Sequence, residues 1–135
     1  MFDLLKISVL PPGPRFAAHV RFWVNGEDIV EEVVHVGGRG PYAADVLPAG
    51  RPSPLRATEE ARRLQLGEPE CTGECCGFLT VVVQRLGDIV QWSNWQVPWA
   101  GPASASRLPD LHFEAVQYDA EVRRSEAGGW WRVYS

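Results

Sequence analysis

Residues 78–97 constrain the fold more than any other stretch of this chain. The run Phe78-Leu79-Thr80-Val81-Val82-Val83 is apolar on both faces through Val82, as in a strand covered on two sides. Leu86-Gly87-Asp88 then turns the chain, and Ile89 to Val97 returns. This unit reads as the central antiparallel hairpin of a sheet.

The opening of the chain predicts a second antiparallel unit. Leu5, Ile7 and Val9 alternate with Lys6 and Ser8, a half-buried strand that stops at Pro11-Pro12-Gly13-Pro14. Phe16, Ala18, Val20, Phe22 and Val24 then point one way, and His19, Arg21 and Trp23 the other. Asn25-Gly26 is the residue pair that a type I′ hairpin demands, so Glu27 to Val34 is expected to return as a strand. From Gly37 to Pro54 the chain is rich in Gly and Pro, with one helical turn expected over 42–47. Such a loop either covers a sheet edge or carries function, and the first reading is preferred.

Thr58 with two following glutamates resembles a helix start, but Arg63-Leu64-Gln65-Leu66 alternates, and a strand over 62–66 is adopted. Residues 98–109 read as a loop. Further on, Leu111, Ala115, Tyr118 and Val122 suit a helix, while Val116, Tyr118, Ala120 and Val122 suit a strand. Charge decides: Glu114 lies early, Arg123-Arg124 late, and Asp119 four residues before Arg123. A helix is therefore predicted over 114–126, stopped by Gly128-Gly129, with a short last strand over 130–134. The expected fold is a single α+β domain spanning residues 1–135. It has a mainly antiparallel sheet of about six strands, either a curved sheet or a partly open barrel, and one C-terminal helix.

Composition narrows the function. The 135 residues suffice for one core, and 45% hydrophobic with 22% charged residues is ordinary for a globular domain. Net charge is -4, and arginines such as Arg62-Arg63 follow acidic pairs such as Glu59-Glu60, which argues against a nucleic-acid partner. No segment has the length and apolarity of a membrane span, and the first residues lack a signal-peptide pattern, so no membrane partner and a cytoplasmic location are expected. Monomer and homodimer both remain open.

All three cysteines fall within six residues, Cys71, Cys75 and Cys76. Zinc needs four ligands, and this spacing offers at most three, with His112, His35 or His19 as a fourth. Adjacent side chains diverge on extended backbone, so the preferred reading is a tight turn in which Cys75 or Cys76 packs as a small hydrophobe and no cofactor is held. A metal site, redox chemistry or a Cys71–Cys75 disulfide are the alternatives.

The chain resembles a family of small proteins, mainly actinobacterial, to which no activity is assigned. The resemblance rests on Cys71, Cys75, Cys76 and Gly77, on Gly87-Asp88, on Val90-Gln91-Trp92-Ser93, and on Phe113 with Gln117-Tyr118. Ser53-Pro54-Leu55 and the turn from Val24 to Asp28 are similar as well. It implies a shared fold and no particular chemistry.

Candidate binding residues are Trp95 and Trp99, with Ser93 and Asn94 as polar neighbours, and His35 ahead of a glycine-rich loop. On a regular strand Trp92 and Trp95 face opposite ways, so they share a surface only if a bulge intervenes. No nucleophile–base spacing stands out. The expected function is accordingly a non-catalytic protein-interaction or regulatory domain of the immunity type, its acidic surface meeting a basic protein partner. A metal- or thiol-dependent protein centred on the cysteines is the alternative.

Overall fold

The computed structural model describes residues 2–14, 17–30, 39–68, 77–97 and 108–131. The three cysteines, His35 and Trp99 lie outside the described residues, as do 31–38, 98–107 and 132–135.

Among the described residues the chain forms two antiparallel sheets rather than a single sheet of about six strands. The first holds β1 (Leu5–Leu10), β2 (His19–Val24) and β3 (Glu27–Asp28), in that order. The second runs β4 (Arg62–Gly67), β5 (Leu79–Leu86), β6 (Ile89–Gln96) and β7 (Leu111–Glu114). A single turn, α1 (Ala43–Val46), covers part of the first sheet, and α2 (Ala115–Gly128) is the C-terminal helix.

Isolated bridges join the sheets without closing them into a barrel. Asp3 pairs with Phe113 of β7, while Arg39 pairs with Glu68 at the end of β4 and Tyr42 with His19 of β2. The segment from Arg39 to Ala43 thus connects the second sheet to the first. It lies so close to β2 that a Cβ on Gly40 would sit 1.7 Å from the Val20 carbonyl oxygen. Val20 N–H donates to the Pro41 carbonyl and Ala43 N–H to the Ala18 carbonyl, at 2.8 and 2.9 Å.

Local chemistry explains most boundaries. Asn25 and Gly26 take φ of 53° and 86°, the left-handed pair a type I′ turn requires. The return strand is shorter than the sequence pattern predicts, because Asp28 ends it. Its Oδ1 accepts the Val30 N–H at 3.0 Å, Oδ2 accepts Arg21 Nε at 2.7 Å, and Ile29 and Val30 are already helical. β7 also departs from expectation: Leu111 and Phe113 point into the core as alternating strand residues, and the helix begins one residue later than predicted. Its ion pairs differ too, since Asp119 pairs with Arg85 and Arg124 with Glu121. Trp130 and Trp131 lie in a 3₁₀ turn, not a strand.

Trp92 occupies the centre of the core, fully buried. Its ring meets Phe22, Trp95, Phe113 and Tyr118 edge-on at centroid distances of 6.2, 6.2, 5.2 and 6.3 Å. These partners come from both sheets and from α2. The Tyr118 hydroxyl accepts the Trp92 indole N–H at 3.3 Å and donates to the Leu55 carbonyl at 2.6 Å. Burial pushes the Tyr118 phenol far above its ordinary pKa, so it stays a donor. Tyr118→Phe leaves the Leu55 carbonyl and the Trp92 N–H without this partner, and urea denaturation should show a loss of about 1–3 kcal/mol.

The outer edge of β1 is capped by side chains of α2. Gln117 Nε2 donates to the Leu5 carbonyl at 2.8 Å, and its Oε1 accepts the Leu5 N–H at 3.4 Å. One turn on, Glu121 accepts the Ile7 N–H at 2.6 Å, and Arg124 donates to the Ile7 carbonyl at 2.7 Å. Burial raises the Glu121 carboxyl pKa, but hydrogen bonds from Arg124 and Ile7 outweigh it, and the net shift is downward. A lowered folded value gives stability that is complete above the unfolded pKa and lost as pH falls through the folded one. The native chain should therefore exceed Glu121→Gln by about 1–2 kcal/mol near neutral pH. That gap should close on acidification below the carboxylate range, as read by urea titrations across pH; a constant gap would count against the carboxylate.

Gly40→Ala tests the join between the sheets. The clash with the Val20 carbonyl cannot be relieved by a side-chain rotation, and a destabilisation of about 3 kcal/mol is expected in the same assay.

Candidate functional site

A strand edge offers chemistry only where its outward N–H and C=O groups lack partners, and the register shows where that is so. Leu86 and Ile89 flank the two-residue turn Gly87-Asp88 and form the closing pair of the β5–β6 hairpin. Leu86, Gln84 and Val82 therefore direct their main-chain groups to β6, and Arg85, Val83 and Val81 theirs to β4. Arg62 and Leu64, opposite Val83 and Val81, bond inward to β5. Arg63 and Gln65 face the other way. Among the described residues nothing hydrogen-bonds their outward main-chain groups.

Those groups open into a groove. Arg39 and Glu68 exchange two main-chain bonds, Arg39 N–H to the Glu68 carbonyl at 3.0 Å and the reverse at 2.9 Å. Beyond that point the chain leaves β4 to pair with β2, so a cleft of about 420 Å³ separates Arg63 and Gln65 from Tyr42, Val46 and Pro54. An adjoining cavity of about 570 Å³ shares Asp45 and Pro54 and is lined by Arg51, Arg56 and Arg62.

Charge concentrates here against the net balance of the chain. Five of the 13 basic residues, Arg39, Arg51, Arg56, Arg62 and Arg63, line these two cavities. Arg39 pairs with Glu68 and stacks over the Tyr42 ring at 4.0 Å. Arg56 pairs with Glu126 at 2.9 Å. Arg63 donates to Thr80 Oγ1 and to the Asn94 carbonyl, at 2.9 and 2.8 Å, and Arg62 donates to the Arg56 carbonyl at 2.8 Å. Among the described residues no carboxylate pairs with Arg51, Arg62 or Arg63. An acidic chain thus presents a locally basic groove.

The wall of the groove is fixed from beneath. Ser53, buried, donates its hydroxyl to the Val46 carbonyl at 2.5 Å and accepts the Leu55 N–H at 3.0 Å. Glu126 accepts the Ser53 N–H at 3.2 Å, and the Leu55 carbonyl is the one held by Tyr118. The Ser-Pro-Leu segment is therefore a strut that ties the wall to α2.

The described residues singled out from the sequence lie outside these two cavities. Trp95 is buried, its indole N–H donating to the Pro109 carbonyl at 3.0 Å. It shares the core with Trp92 because a bulge does intervene: Val82 pairs with Ser93 and Thr80 with Gln96, leaving Val81 opposite both Asn94 and Trp95. Asn94 takes a φ of 52° to allow it. Ser93 is half-buried and accepts from Gln91 at 3.4 Å, and Asn94 is exposed. His112 is exposed on β7, 3.1 Å from Gln91 Oε1. Trp95, Ser93 and Asn94 line neither of the two β4 cavities. Among the described residues no three metal-ligating side chains converge, and no helix is long and apolar enough to cross a membrane.

A second concavity of about 510 Å³ lies on the outer face of β1 and β2, beside Leu4, Lys6 and Trp23. It is more apolar, but it offers a strand face rather than a strand edge. Among the described residues the β4 groove combines open main-chain groups at Arg63 and Gln65 with several arginines. Its signal in the sequence was the run of arginines from 39 to 63, which local acidic neighbours masked. Comparison with known protein families, curated proteins and solved structures finds no match to this chain.

Proposed function

We propose that this is a non-catalytic protein-interaction domain that takes an extended segment of a partner protein along the open edge of β4. The observation that carries the reading is the outward pair Arg63 and Gln65, whose main-chain groups face a cleft walled by Tyr42, Val46 and Pro54. A peptide in strand conformation supplies donors and acceptors at the spacing such an edge repeats, while pockets beside it sort the alternate side chains. Both walls are rigid: β4 is paired to β5, and the facing segment is fastened by Ser53 and by the bridges to β2. Little ordering is needed on the domain side, which favours docking of a flexible segment.

Peptides selected from a random displayed library against the full chain test the reading. Their binding should shift the amide resonances of residues 39–46 and 62–68, and Gln65→Pro should weaken it at least tenfold. That substitution removes an outward N–H and leaves the inward bonds of Arg62 and Leu64 in place, so the β4–β5 ladder survives. Shifts confined to the β1–β2 face, or peptides indifferent to Gln65→Pro despite a native melting curve, would refute it.

A further inference from the structure

The chemistry of the bound segment follows from what lies on each side of the open edge. We infer that the β4 groove selects an acidic strand in which carboxylates alternate with apolar side chains; this rests on the docking reading above. A strand laid beside β4 sends its side chains alternately to the two faces of the sheet. On the outer face it meets Arg63, whose guanidinium is held over the sheet by Thr80 and the Asn94 carbonyl. On the inner face it meets half-buried Leu64 and the apolar wall of Val46 and Pro54. One register therefore wants a carboxylate and the next an aliphatic group.

The surrounding field acts in the same direction. Arg51, Arg62 and Arg63 lack carboxylate partners among the described residues, and of the acids lining the two cavities Glu68 is already paired with Arg39, leaving Asp45. Charges of one sign at the rim of a groove steer an oppositely charged ligand and reject basic ones, so they set specificity more than affinity. A nucleic-acid strand would answer the arginines but not the edge, because it carries no repeating amide to pair with the Arg63 and Gln65 main chain.

Fluorescence anisotropy with a short labelled peptide of alternating valine and glutamate tests this. Versions with glutamine or lysine replacing glutamate are the comparisons. The acidic peptide should bind at least tenfold more tightly than the glutamine version at low salt, and the lysine version most weakly. The advantage should fall in Arg63→Gln, in Arg51→Gln, which touches no structural hydrogen bond among the described residues, and on raising the salt concentration. Equal binding of the acidic and glutamine peptides, both abolished by Gln65→Pro, would overturn the charge selection while leaving strand docking intact. Absence of binding by any of the three at the β4 edge would overturn both. Tighter binding of oligothymidylate in the same groove would reassign the arginines to a nucleic-acid ligand.

Discussion

The edge-on packing of four aromatic rings around Trp92 is the constraint on which the remaining structure depends. Phe22 reaches it from the first sheet, Trp95 and Phe113 from the second, and Tyr118 from the helix. Two small sheets joined by isolated bridges would have little reason to hold one mutual orientation. A shared indole, buried on every side and hydrogen-bonded through Tyr118 to the Leu55 carbonyl, supplies that reason. Leu55 then carries the positioning outward through Ser53 to the wall of the groove, so the surface proposed to bind is set from the core.

Strand edges are managed in different ways around the molecule. The β7 edge is covered by Asp3, whose N–H donates to the His112 carbonyl and whose carboxylate accepts the His112 N–H. The edge of β2 beyond β3 is taken by Pro41 and Ala43. The edge of β1 is answered by Gln117, Glu121 and Arg124. Against that background β4 at Arg63 and Gln65, open among the described residues, is a departure from the protection that limits unwanted pairing. Arginine side chains flank it, and they discourage pairing with a second copy of the same edge by like-charge repulsion.

How much of this was legible depended on how local the cause was. The turns at Asn25-Gly26 and Gly87-Asp88 were readable because their residues specify their own dihedral angles, and the strand over 62–66 followed from its alternation. The helix before Gly129 is present, but its first and last turns lack the charges that pointed to it, and Asp119 pairs with Arg85 rather than Arg123. The face of Trp95 was not readable. It turns on Asn94 adopting a left-handed conformation, and the period of two failed there by a single residue. The shortened β3 depended on Asp28 choosing a local hydrogen bond over the ladder, which a strand-like alternation does not reveal. The β4 edge was hidden for a different reason: which strand ends a sheet is decided by tertiary neighbours, and Arg62-Arg63 next to Glu59-Glu60 looked like a neutralised surface.

The cap on β1 joins two ends of the chain, since Leu5 and Gln117 are 112 residues apart and Ile7 and Arg124 are 117 apart. Such contacts carry a high loop-closure entropy that the fold has to offset. β1 and β2 can pair through the local Asn25-Gly26 turn, yet the outer groups of Leu5 and Ile7 are answered only when the distant helix docks. Without α2, β1 has a partner on one side only.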